Sequence, residues 1–344
     1  MRFRSRPTPA RPLATLLLAI ATGCGAETSR AFVVPDIEGL SWFRGNTHTH
    51  TTESDGDSPP AEVVEWYRSH DYDFLVLSDH NALTDTGAFE RLAEEGFLLI
   101  PGEEVTSSFE NRPVHVNGLN LPRLVEPRTG RTLVATIQNN VDAVREVEGV
   151  PHINHPNFGW AFGAEELAQV ENDRLFEIFN GHPTVHNEGG GGSPGLEEIW
   201  DALLTGGKRI YGIAVDDAHH FQGEFSPDRA NPGRGWVSVL ADRLEAESIM
   251  SALEEGQFYA STGVEIERLD IEADRLRIEI LPRGDFRYTT GFIGDDGRLL
   301  ASVDGTTAEY VLADPVSYVR AVVRDSRGER AWIQPVFVET PGRE

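Results

Sequence analysis

Positive charge and sulfur are both scarce in this chain. Thirty Lys and Arg stand against 56 Asp and Glu in 344 residues, a formal net charge of −26. Such a chain lacks the basic surface that displaces counterions, which excludes a non-specific binder of long nucleic acids. Lys208 is the only lysine, so nearly all positive charge is guanidinium. Cys24 is the only cysteine, which excludes an intrachain disulfide. No P-loop and no CxxC pair occurs, so those phosphate-binding and redox chemistries find no support. What remains is ordinary for a globular protein: 39% hydrophobic residues and 34 glycines. The length is enough for about two domains of about 150 residues.

Arg2, Arg4, Arg6 and Arg11 precede an apolar run at 13–21 that ends in Thr22-Gly23-Cys24. That run is far short of the about 20 residues needed to span a bilayer. A basic start, a short apolar stretch and small residues read as an export signal over residues 1–23. Ala21-Thr22-Gly23-Cys24 resembles a bacterial lipobox, with Ala21 where leucine is preferred. The expectation is a lipoprotein anchored at Cys24 on the periplasmic or outer side of a bacterial envelope, with residues 24–40 as a tether. Removing residues 1–23 takes away four arginines and no acids, leaving a formal charge of −30.

From Trp42 onward, short apolar runs alternate with helical patterns. Strands are expected at 42–47, 73–78, 97–101, 113–119, 150–154, 175–179 and 209–215. Helices are expected at 58–69, 87–95, 132–148, 163–170 and 195–205. In the first of these, Ser58 is an N-cap candidate before Pro59 and Pro60. The alternation implies parallel pairing, and about seven repeats suffice to close a barrel. After residue 263 the pattern becomes strand-like alternation with turns at Gly284, Gly297 and Gly328. This predicts a small antiparallel β-sandwich over 264–344. Residues 181–195 form a glycine-rich loop.

Histidines and acids gather where the predicted strands end. His48 and His50 lie two apart, so a strand would turn both to one side. Asp55 follows in the next turn. Asp79-His80 ends the second strand, Glu103-Glu104 follows the third and His115 lies in the fourth. His152 and His155 close the fifth, and Asp216-Asp217-Ala218-His219-His220 closes the last. In α/β barrels the C-terminal ends of the strands gather residues distant in sequence into one site. Burying so many histidines and carboxylates together without a cation would be costly. The cluster therefore points to a metal centre. Glu177, at another strand end, is either core structure or an active-site polar group.

These motifs resemble the PHP (polymerase and histidinol phosphatase) metallohydrolases. The resemblance rests on His48-Thr49-His50, Asp55, Asp79-His80, Pro101-Gly102-Glu103-Glu104, His155-Pro156 and Asp217-Ala218-His219. More narrowly, LFEIFNGHP, GRGWVSVL and GQFYASTG are similar to the CehA/McbA-type branch. The resemblance implies a distorted (β/α)7 barrel over residues 41–263. It also implies two or three divalent metal ions. His48, His50, Glu104 and Asp217 would hold the first; Glu104 would bridge to a second with His115 and His155; Asp55, His80 and His219 would hold a third. Histidine and carboxylate ligands without cysteine fit Mn, Zn or Fe. Asp79 is expected either to orient an imidazole or to cap the turn that follows it.

The implied activity is hydrolysis by a metal-bridging hydroxide, with Glu104, Asp217 and His219 at the reacting centre. The first expectation is a phosphoesterase acting on small phosphate mono- or diesters, nucleotides among the candidates. The alternatives are a carbamate or carboxylic ester hydrolase and a non-catalytic surface binding protein. Arg234, His182 and His186 are candidate contacts to an anionic small-molecule substrate. The opening charge imbalance does not count against such a substrate: bound ions can make a site locally positive inside an acidic shell.

Overall fold

The computed structural model describes residues 30–339 apart from 38, 90 and 95. The export segment, Cys24 and the start of the tether lie outside the described residues. No helix among the described residues is long and apolar enough to cross a membrane.

The chain forms a mixed α/β structure around one large sheet. A two-residue strand β1 (Ala31–Phe32) precedes β2 (Ser41–Asn46), α1 (Pro60–Arg68), β3 (Phe74–Leu77), α2 (Arg91–Glu94), β4 (Leu98–Phe109) and β5 (Arg112–Leu119). Then come α3 (Leu133–Arg145), β6 (Val150–Ile153), α4 (Ala164–Leu167), β7 (Leu175–Asn180), α5 (Leu196–Thr205) and β8 (Tyr211–Val215). A second group follows: β9 (Trp236–Ala241), α6 (Ala246–Glu254) and β10 (Phe258–Ser261). The C-terminal strands are β11 (Ile266–Glu272), β12 (Arg275–Ile280), β13 (Tyr288–Gly294), β14 (Arg298–Asp304), β15 (Thr307–Val311), β16 (Tyr318–Asp325) and β17 (Arg330–Glu339).

The main sheet runs in the order β14-β13-β16-β17-β10-β9-β2-β3-β4-β5-β6-β7-β8, with β1 added beside β17. Strands such as β3 are apolar and buried along their whole length, as expected where both faces are covered. The helices cover the sheet: α1 buries Val63, Val64 and Tyr67, and α5 buries Leu196, Ile199, Trp200, Leu203 and Leu204.

Three expectations are corrected. Pairing is not uniformly parallel: β4–β5 and β5–β6 are antiparallel. The reason is local, because only Glu110 and Asn111 connect β4 to β5, with Glu110 at φ 56°. So short a link makes a hairpin and cannot make a crossover. The sheet is also not closed by a ladder. Its β8 end meets the start of the site only through an isolated parallel bridge, Thr49 to Ala218. Finally, Ser58 does not cap α1; Pro59 occupies that position without a side-chain bond, and the Ser58 hydroxyl donates to Asp57.

After residue 263 the strands are antiparallel, but they do not stand apart. Strand β17 pairs with β10 from Tyr259↔Ile333 to Ser261↔Ala331, so the C-terminal strands continue the main sheet. A three-stranded sheet, β11-β12-β15, faces them, and its Leu276, Ile278 and Ile280 share one buried cluster with Phe292, Val319 and Val323.

Candidate metal centre

The site forms where β4 changes partner. Residues 98–101 pair in parallel with β3, and residues 102–109 pair antiparallel with β5. Gly102 marks the change: a Cβ there would lie 2.4 Å from Val76 Cγ1 and 2.8 Å from the Gly118 carbonyl. Glu104 follows in this bend, with its side chain buried. His48 and His50 stand just past β2, held by backbone bonds to the segment after β8: Asp217 N–H to His48 O at 3.0 Å and His50 N–H to Ala218 O at 2.9 Å. Asp217 takes φ 48°, a left-handed conformation that aspartate tolerates.

Four donor atoms meet at this point. The Nε2 atoms of His48 and His50 are 3.1 Å apart, and each is 3.4 Å from Glu104 Oε2. They are 3.3 and 3.2 Å from Asp217 Oδ1. A tetrahedral ion with bonds of about 2.0 Å requires ligand separations of about 3.3 Å. The donor set therefore fits a divalent cation. Glu104 turns its other oxygen, Oε1, to His115 Nδ1 at 2.8 Å and to His155 Nε2 at 3.4 Å. On the opposite side, half-exposed Asp55 lies 3.3 Å from His219 Nε2, 3.5 Å from His50 Nδ1 and 3.6 Å from His80 Nε2. All nine ligand candidates thus come together, and seven of them line a cavity of about 130 Å³.

The buried imidazoles and carboxylates shift one another's ionisation. Burial penalises a charged His48, but Asp217, Glu104 and Glu177 outweigh it and raise its pKa well above the ordinary value. Burial also opposes ionisation of Glu104 and Asp217, yet the surrounding imidazoles hold both carboxyls well below the usual range. Burial pushes His50 down to about 4. His219 resists burial through Asp55 and Asp217 and is pushed up to about 9. The raised His48 and His219 imidazoles offset part of the buried carboxylate charge.

Glu177 belongs to the site. Its Oε1 lies 2.7 Å from His48 Nδ1 and 3.2 Å from His152 Nε2, and its Oε2 accepts His155 N–H at 2.7 Å. A carboxylate on Nδ1 leaves Nε2 of His48 as the ligating atom. Asn180 donates to both Glu177 and Asp217, and Asn154 donates to Glu104 Oε1 at 2.8 Å. The sequence signal for the two asparagines was their place at the strand ends, in LFEIFN and HINHP.

Other candidates fall elsewhere. Asp79 touches no imidazole; it accepts Thr51 N–H at 2.7 Å and the Ser54 hydroxyl at 2.8 Å, shaping the loop that carries Asp55. Arg234 directs its guanidinium to the carbonyls of Gly181 at 2.7 Å and Ser226 at 2.5 Å, away from the cavity lining. His186 stacks on Trp160 with ring centroids 4.5 Å apart, outside the lining. His182 does line the cavity. Residues 191–195 satisfy a bare G-x-S-x-G string, but Ser193 is exposed in a loop that pairs back on Gly190, not at a nucleophile elbow.

An α/β scaffold presenting a buried histidine–carboxylate cluster fitted to divalent ions is the class of site defined here. Comparison with known proteins adds the following. No protein-family model matches the chain. It is 33% identical over 104 residues to a 5′-3′ exoribonuclease of Haemophilus influenzae, covering 30% of this chain and 36% of that protein. The match thus spans about a third of that relative's length. The chain is 27% identical over 225 residues to the 5′-3′ exoribonuclease Rnm of Escherichia coli, covering 61% of this chain and 74% of that one. Among solved structures, it shares its fold with a two-domain protein from Bacteroides vulgatus described as containing a predicted PHP-like metal-dependent phosphoesterase. The TM-score is 0.52 at 16% identity, over 88% of this chain and 98% of that one.

Proposed function

We propose that this chain is a PHP-type metal-dependent phosphoesterase acting on small phosphate mono- or diesters, including nucleotides. The observation that carries the proposal is Glu104. One of its oxygens completes a four-donor set with His48, His50 and Asp217, while the other faces His115 and His155. Divided in this way, Glu104 would contribute to the donor sets of two divalent ions. Bound ions of the Mn, Zn or Fe kind would supply Lewis acidity and an activated water. The chain's own residues hold the charge and the geometry. Glu104 and Asp217 would hold the cations, Glu177 presents His48 Nε2, and Asn180 and Asn154 fix the carboxylates. Asp55, His80 and His219 form the donor set for a third ion.

The same proposal reads β2 to β8 as an open form of a seven-stranded (β/α)7 barrel, with residues 264–344 as its supporting β module. It also places the protein as an exported lipoprotein of the CehA/McbA-type branch, anchored through Cys24; Cys24→Ala should then release it from the membrane fraction. The exoribonuclease relatives make nucleotide phosphodiesters the first substrates to try. A charge of −26 favours short ones.

A second reading, hydrolysis of carbamates or carboxylic esters, draws on the absence of any Lys or Arg among the described residues lining the cavity. The deciding experiment loads the protein with Mn²⁺ or Zn²⁺ and screens aryl phosphates, phosphodiesters, carboxylic esters and carbamates in parallel. Phosphoesters should be turned over fastest. Faster carbamate or ester turnover transfers the proposal to the second reading, and a protein that neither binds metal nor turns over any class favours the reading as a non-catalytic surface binding protein.

A further inference from the structure

Seven of the nine residues lining the cavity are ligand candidates, and the other two are Phe158 and His182. Phe158 has no hydrogen-bonding side-chain atom. His182 is therefore the one polar side chain outside the ligand set among the described lining residues. Its ring is fixed through Nδ1. Thr184 N–H donates to Nδ1 at 3.3 Å, and the Thr184 hydroxyl lies 2.8 Å from the same atom. An imidazole whose Nδ1 accepts an N–H carries its proton on Nε2.

The backbone is fixed as well. His182 N–H donates to Asn180 Oδ1 at 2.8 Å, and Asn180 Nδ2 donates to Asp217 Oδ2 at 3.1 Å. One asparagine thus sets the position of His182 relative to a metal-ligand candidate. The ring stands edge-to-face with His219, centroids 5.3 Å apart.

Building on the phosphoesterase reading, we propose that His182 is a neutral hydrogen-bond donor, its Nε2–H reaching an oxygen of the bound phosphoryl group. It supplies the recognition that an Arg or Lys supplies elsewhere. The role is a hydrogen bond and not a proton transfer, so His182 stays neutral throughout turnover.

The test compares full-length wild type, His182→Ala and His182→Gln, all loaded with Mn²⁺. Three quantities are read: metal content, affinity for inorganic phosphate by calorimetry, and kcat/KM for 4-nitrophenyl phosphate and bis(4-nitrophenyl) phosphate. A hydrogen bond to a charged acceptor corresponds to about a tenfold to hundredfold effect. His182→Ala should keep its metal and lose that much in both kcat/KM and phosphate affinity. His182→Gln, whose amide nitrogen reaches the place of Nε2, should recover most of the loss. Metal loss in His182→Ala would make His182 a ligand and overturn the proposal. So would unchanged phosphate affinity and kcat/KM in the metallated variant. If His182→Ala does not fold, His182→Gln decides: near-normal phosphate affinity supports the donor role, and a loss as deep as that expected for alanine refutes it. A wild type that binds metal yet hydrolyses neither phosphoester defeats the phosphoesterase reading itself, and phosphate affinity still judges His182.

Discussion

Two buried charged clusters in this molecule are built to opposite specifications. At the junction of α5 and β16, Arg320 meets Asp201 through two parallel bonds of 2.7 and 2.6 Å. Tyr318 donates to the same carboxylate at 2.9 Å, and Glu197 takes a further Arg320 nitrogen at 3.3 Å. Arg330 meets the other Glu197 oxygen at 3.2 Å, so two guanidinium groups match two carboxylates, and Arg320 has only 1% of its side-chain surface exposed. At the other cluster, Glu104, Asp217 and Glu177 are buried with imidazoles as their only cationic neighbours in ion-pair range among the described residues. A cluster that balances itself fastens two parts of a fold together. One that does not has room for cations from solution.

The comparison is broken most severely at Glu104. Glu104→Ala removes a donor from both principal sets, and metal occupancy should fall by more than the about 10- to 100-fold that loss of an outer partner costs. Metal analysis after dialysis checks this; a fully metallated variant would refute the ligand assignment. Next, Arg320→Ala leaves Asp201 buried and unpaired. It should lose about 3–5 kcal/mol of stability in denaturant unfolding while metal content holds. If stability is unchanged, the junction is not a fastener.

Glu177→Gln gives the opposite signature: metal affinity lower by about 10- to 100-fold, with far less change in unfolding of the metal-free protein. The smallest effect is in protons. In metal-free protein the raised pKa of His219, about 9, contributes stability that is complete below the ordinary 6.5 and is lost as pH rises through about 9. Ions displace such protons, so metal binding should tighten as pH rises through that window and release protons at neutral pH. Calorimetry in two buffers of different ionisation enthalpy measures the release; equal heats would show that imidazole protons do not hold the cation's place.

Much of the site was legible because strand ends announce themselves. Apolar runs such as FLVL and YGIAV stop abruptly at Asp79-His80 and Asp216-Asp217, and sheet geometry brings such ends together. Less legible was anything set by a partner distant in sequence. Glu177 looked the same whether it faced the core or His48, because the period of a strand names a face and not a neighbour. The antiparallel β4–β5 hairpin was hidden by a turn, Glu110-Asn111, without glycine or proline. Arg234 looked free because the carbonyls that take its guanidinium belong to loops 53 and 8 residues away in sequence.

The β10–β17 ladder changes what a boundary means in this chain. Composition turns over near residue 263, and a modular protein could be divided there. Division here would strip β10 of its partner along Tyr259 to Ser261 and turn a central strand into a bare edge, open to pairing with other chains. It would also take Trp332 out of the core that it shares with Trp200 and Leu203. The seam marks a change of composition and offers no place to cut: the half that carries the histidine–carboxylate cluster and the β half share one fabric.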